Sequence, residues 1–184
     1  ESEVERLLRL AHRHHAPVTF RAAGTSLSGQ AITDSVLVML EGDAWRDYSI
    51  GTDAQTIRLQ PGIIGAQANR YLAQHGRKIG PDPASIASAK IGGIAANNAS
   101  GMCCGVAQNS YQTLESMRIV LADGTHVDTA SDSSRSKFET SHGYMLKKLG
   151  MIRDRVLKDK QLCERIRYKY KIKNTTGYSL NALI

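Results

Sequence analysis

IGPDPASIASAKIGGIAANNASGMCCG, residues 79–105, decides how this chain reads. It runs from a Pro-Asp-Pro turn through small residues to a Gly92-Gly93 pair, then Asn97-Asn98 and Gly101. A core needs side-chain volume to bury, so so long a run of small residues is poor core material. It suits a backbone that lies close against something flat and polar, where glycine lets main-chain N–H groups come within hydrogen-bond range. The plainer alternative is a surface loop, but long structureless loops inside compact domains are uncommon unless they carry a function.

Outward from this stretch, the earlier segment RAAGTSLSGQA, residues 21–31, has the same character. It follows a strand-like Val18–Phe20 and pivots on Gly24 and Gly29, with Thr25, Ser26 and Ser28 as added donors. Successive N–H groups in such a turn form an anion nest, so phosphate is one reading and a plain turn the other. Better-known phosphate loops fail on residues: no lysine stands where a Walker loop needs it, and a strand-like SVLVML follows instead of a Rossmann helix. A serine-hydrolase elbow fails because Ser28 occupies its second glycine position.

Helical spacing over Glu3–His15 ends at Pro17, and a helix followed by a strand reads as the tail of an α/β unit whose first strand is lacking. Strands are expected at 35–40, 45–50 and 55–60, then a helix over Ile63–Gln74 with Gly76 as its C-cap. Beyond the stretch, Leu114–Leu121 and His126–Thr129 form strands around an Ala-Asp-Gly-Thr turn. Residues 132–173 read as helical and basic, and the closing Asn174-Thr-Thr-Gly-Tyr is another Gly-centred loop.

The 184 residues, 41% hydrophobic and 22% charged, fit one ordinary domain or two small lobes. No apolar run reaches the roughly 18 residues of a membrane span, and no signal-peptide pattern opens the sequence. Three cysteines, two of them adjacent, make no disulfide framework and point to a reducing, cytoplasmic setting. The +7 charge sits in the last third: from Ser131 onward 13 Lys/Arg face 5 Asp/Glu, whereas residues 1–130 carry 11 and 12. With no groove-reading motif around Tyr168 and Tyr170, nucleic acid is not expected; a solvated face or docking to an acidic partner is.

Taken together, RAAGTSLSGQ, PDPASIASAKIGGIAANNASG, LESMRIVLADGT and KNTTGY resemble the FAD-linked oxidase family, whose flavin domain is of the vanillyl-alcohol oxidase and p-cresol methylhydroxylase (PCMH) type. Within it the chain looks most like D-lactate and D-2-hydroxyacid dehydrogenases, in the branch fused to an iron–sulfur half. The resemblance implies an α+β fold, a two-lobed PCMH-type FAD-binding domain incomplete at both ends, with FAD extended between the lobes. The first lobe would span residues 1–62 and the second 63–184, with a basic helical insertion at about 132–173. It implies that Ala22, Ala23, Gly24, Thr25, Ser26, Leu27, Gly29 and Gln30 wrap the pyrophosphate. Pro81, Asp82, Ser88, Gly92, Gly93, Asn98 and Gly101 would run along the pyrophosphate, ribityl chain and flavin ring, and the strand at Ile119 would meet the adenine end.

The implied partners are FAD, a small 2-hydroxyacid held by a cap domain outside this chain, and an electron acceptor: an iron–sulfur domain, a quinone or another carrier. The implied place is the cytoplasm, with a peripheral position at the inner face of the membrane as the other option. Ala22 and Ala23 stand where many members have glycine, and Ser100 replaces another. No histidine lies between Arg21 and Ala31, so non-covalent FAD is expected. No residue is assigned as catalytic or metal-binding. Two alternatives stay open: a non-catalytic flavin-binding or docking module, and a sugar-nucleotide reductase or aldonolactone oxidase on the same flavin fold. Cys103-Cys104 reads as two small thiols rather than cluster ligands, because a cluster needs about four. The His12, His14, His15 group reads as a helix cap, Arg21 as either a phosphate partner or a surface residue, and Lys90 as solvent-facing.

Overall fold

The computed structural model describes residues 1–172 and 179–184, so the closing loop expected at Asn174–Tyr178 lies outside the described residues. Those residues form two compact units, one of 18–113 and one that joins 1–17 to the described chain after 113. Helices and strands mix in both, as an α+β chain requires.

In unit 18–113, strand β1 (Val18–Arg21) pairs in parallel with β2 (Val36–Met39), Val18 opposite Val36 and Arg21 opposite Met39. Strands β3 (Tyr48–Ile50) and β4 (Ile57–Leu59) make an antiparallel hairpin. Helix α2 (Gly65–Ala73) follows, its Gln67 side chain accepting from the Ile64 N–H at 3.2 Å. Gly76, at φ +64°, closes that helix as expected: its N–H donates to Ala73 O and the Arg77 N–H reaches back to Leu72 O at 3.2 Å. Tyr48 and Tyr71 stack 3.8 Å apart, which holds the hairpin on the helix. The lobe boundary expected at residue 62 falls inside this unit, where the chain is stitched on both sides: Gly62 N–H donates to Trp45 O at 2.9 Å and Ile91 N–H to Ile63 O at 2.8 Å.

Residues 79–105 depart from the plain surface loop that stood as their alternative reading. Ile91–Ala96 is a short helix, α3, begun by the Ile94 N–H bond to Lys90 O. The stretch also supplies a small core that its composition did not advertise: Ala89, Ile94 and Ala99 are buried together, with Ile86 and Ile91 packed against them. Small side chains suffice there because the backbone itself fills the space. A Cβ on Gly101 would lie 1.6 Å from Asp82 O, so the two ends of the stretch touch main chain to main chain. Helix α4 (Ser110–Thr113) ends the unit, with Ser110 Oγ donating to Ile94 O at 2.9 Å.

The other unit opens with α1 (Ser2–Arg13), which has Glu3 and Glu5 in its first turn and His12 and Arg13 in its last, a charge order that complements the helix dipole; His14 is its C-cap. Strands β5 (Arg118–Val120) and β6 (His126–Asp128) form the expected hairpin, with Gly124 at φ +81° and Thr125 N–H on the Asp123 carboxylate at 2.8 Å. The basic segment is three helices: α5 (Asp132–Ser141), α6 (Gly143–Lys158) and α7 (Lys160–Lys169). Ser131 and Asp159 cap the first and last of these by accepting main-chain N–H bonds. Val156, Cys163 and Ile166 make the buried seam between the last two.

Candidate functional site

Both small-residue segments belong to unit 18–113. The first leaves the end of β1 and turns at Gly24 and Gly29, each at φ +68°. Ala22 and Ala23 keep negative φ, which explains why alanine is accepted where glycine is commoner in the family it resembles. Among the described residues, the main-chain N–H groups of Ala23, Gly24, Thr25, Ser26 and Leu27 donate to no protein acceptor. Thr25–Gln30 is exposed, and Ser26 stiffens it by donating to Gln30 Oε1 at 2.8 Å and accepting from the Ser28 N–H. Arg21 curls back over the turn, with Nε 2.7 Å from the position a Gly24 Cβ would take, and forms no ion pair among the described residues. Five open N–H groups beside a guanidinium are the chemistry of an anion site.

The second segment meets the first at Gly93. A Cβ built on Gly93 finds Ala22 Cβ at 3.6 Å and, outside its own helix, no other atom within 4 Å. Gly93 and Ala96 are exposed on the outer side of α3, so this helix offers backbone rather than side chains to whatever lies over it. Gly92 differs: its Cβ would sit 2.8 Å from Pro61 Cβ, so the fold itself requires glycine.

The remaining expected residues divide by burial and by what holds them. Pro81 and Gly101 are buried, Asp82 is half-buried and Ser88 exposed. Asn98 takes a left-handed φ of +43° and spends its Oδ1 on the Tyr111 N–H at 2.9 Å, a structural use of the side chain. Ser100 is buried. Ile119, half-buried in β5, belongs to the other unit.

Lys90 corrects an expectation. It is half-buried, and its ammonium donates to Leu40 O at the end of β2 instead of standing in solvent. Sequence could not show this, because the partner is a main-chain carbonyl fifty residues away. Cys103 is exposed, whereas Cys104 is buried with its sulfur accepting the Gly101 N–H at 2.9 Å, a local brace.

The residues fit a dinucleotide on three counts: open N–H groups for a diphosphate, an adjacent guanidinium, and a flat wall at Gly93 and Ala96 for an aromatic plane. Residues 1–130 match the family model described as an FAD binding domain. The chain is 30% identical over 132 residues to glycolate oxidase subunit GlcD of Escherichia coli (strain K12), which covers 71% of this chain and 26% of that protein. It is 32% identical over 148 residues to the mitochondrial D-lactate dehydrogenase (cytochrome) 1 of Saccharomyces cerevisiae, covering 78% and 24%. To D-2-hydroxyglutarate dehydrogenase of Haemophilus influenzae it is 25% identical over 131 residues, covering 71% and 13%. The chain thus spans about a quarter, or less, of the length of these relatives. Among solved structures, 6-hydroxy-D-nicotine oxidase from Arthrobacter nicotinovorans superposes with a TM-score of 0.59 at 19% identity, covering 72% of this chain and 28% of that one. Alkyldihydroxyacetonephosphate synthase does so with a TM-score of 0.57 at 22% identity, covering 73% and 27%. At such identities these superpositions speak for the fold alone.

Proposed function

The chain belongs to the FAD-binding domain family, and from that premise we propose that it is the flavin-holding part of a dehydrogenase that oxidises a D-2-hydroxyacid to the 2-oxoacid. Its fold is the α+β fold of PCMH-type FAD-binding oxidases, and FAD is its cofactor. Support for the substrate class comes from the relatives' names: lactate, 2-hydroxyglutarate and glycolate share a C–H bearing a hydroxyl next to a carboxylate.

The observation that carries the reading is the closeness of Gly93 to Ala22, where a Cβ built on Gly93 would stand 3.6 Å from Ala22 Cβ, so that the open N–H turn and the bare helix wall are neighbours. In this reading the N–H groups of Ala23–Leu27 hold the diphosphate without covalent attachment, Arg21 balances its charge, and Gly93 and Ala96 lie against the isoalloxazine. Pro81–Asp82 and Gly101 keep the second segment in shape. Bound FAD supplies a hydride acceptor, flavin N5, for the hydrogen on the substrate Cα. The chain's own contribution is to hold and orient the flavin.

Electrons would pass on to an iron–sulfur centre, a quinone or another carrier. Among the described residues, no helix is long and apolar enough to cross a membrane. A cytoplasmic position is proposed, peripheral to the inner face of the membrane where the acceptor is a quinone. The test is flavin reduction in the protein that carries the substrate-binding portion, offered D-lactate, D-2-hydroxyglutarate and glycolate in turn. Bleaching of the flavin by at least one is expected. A flavin-loaded protein that none of the three reduces would overturn the dehydrogenase reading in favour of a binding module.

A further inference from the structure

The two walls of the proposed site leave the core as separate strands of chain, and something must fix their spacing. The first wall departs from Arg21, whose carbonyl accepts the Leu40 N–H at 2.9 Å. Leu40 therefore closes the β1–β2 ladder at the point where the Ala22–Gln30 loop begins. The Leu40 carbonyl is the group that the Lys90 ammonium holds.

Lys90 itself is anchored at the root of the second wall. Its backbone bridges Ile64, its carbonyl accepts the Ile94 N–H at 3.0 Å as α3 starts, and the next residue, Ile91, bonds Ile63 O at 2.8 Å. A half-buried ammonium costs free energy unless its donors are used, and here, among the described residues, the partner is a neutral carbonyl and not a carboxylate. Charge-assisted bonds of this kind are about twice as strong as neutral ones. A lysine that only solvated the surface would have no reason to reach back to a main-chain group so far along the chain.

We propose that Lys90 is a positioning residue: a strut that sets the gap between the loop after β1 and the glycine face of α3. The affinity consequence rests on the FAD reading above, but the strut itself does not. The experiment compares wild type, Lys90→Met, which keeps the apolar stem, and Lys90→Arg, which keeps a charged donor. Without FAD, the Leu40 amide, which donates to Arg21 O beside the strut, should exchange at least about threefold faster in Lys90→Met, while the bonded amides of Ile63–Leu72 stay as in wild type. With FAD, its dissociation constant should rise about tenfold, and Lys90→Arg should recover most of both losses. Unchanged exchange in Lys90→Met would overturn the proposal, and so would faster exchange spread evenly over residues 18–113. Should wild type fail to take up FAD, the function above falls, and the exchange pattern still decides the strut.

Discussion

Gly93→Ala separates the needs of the fold from those of the cofactor. Gly93 is exposed in α3, its φ is negative, and an added Cβ meets Ala22 Cβ at 3.6 Å, an ordinary contact. Without ligand the substitution should help, because alanine is favoured over glycine in a helix by about 0.5–1 kcal/mol. For a domain of this size that raises the melting temperature by about 1–4 °C. The same methyl stands on the surface proposed to lie against the isoalloxazine, where inserting one carbon into a close contact costs about 1–3 kcal/mol. At about 1.4 kcal/mol per decade, FAD should bind roughly 5- to 150-fold more weakly. Calorimetric titration of the apoprotein with FAD gives the affinity, and a thermal melt of the same sample gives the stability. Gly93→Ala with wild-type affinity and a raised melting temperature would refute the claim that this backbone is the flavin wall.

Further substitutions test the supporting geometry. Gly101→Ala drives a methyl onto the Asp82 carbonyl, so it should destabilise by at least about 3 kcal/mol in a denaturant titration, whether or not FAD is present. Gly150→Ala, inside α6 with nothing within 4 Å of the new methyl, should stabilise by about 0.5–1 kcal/mol and leave FAD affinity within twofold. Burial pulls the Asp123 carboxyl upward, but bonds from the Thr125 N–H and hydroxyl and from His142 outweigh it, and the group sits below its ordinary value. A carboxylate depressed on folding adds stability above its unfolded value, near pH 3.9, and loses it as pH falls through the lower folded one. The side chain is 36% exposed, so the gain is modest, about 0.2–1 kcal/mol. Asp123→Asn should therefore lower the melting temperature by about 1–3 °C at pH 6 and by progressively less as pH falls below about 3.9; a loss that does not shrink with falling pH would refute the assignment.

Local signals carried much of the fold. The 3.6-residue spacing of α1 and α2, the αL glycine at 76 and the Asp-Gly hairpin turn are decided within a few residues, and each formed where the sequence put it. The segment 79–105 misled in part because the close packing around its small core turns on glycine positions, which leave no hydrophobic pattern: Gly101 against the Asp82 carbonyl, Gly92 against the Pro61 ring. Parallel pairing of β1 with β2 and the grip of Lys90 on Leu40 are likewise long-range and silent in local composition. For the candidate site, the two glycine-rich segments announced themselves, but which glycine serves the fold and which faces outward did not. Gly92 and Gly93 are neighbours with identical side chains, and their difference is the direction in which a Cβ would point.

Amide exchange of the protein with and without FAD tests the central claim most directly. The account predicts that FAD slows exchange in Ala22–Gln30 and in Ile91–Gly101 together, with both segments saturating at one FAD concentration. Bound FAD that protects one segment and leaves the other at its free rate would contradict it.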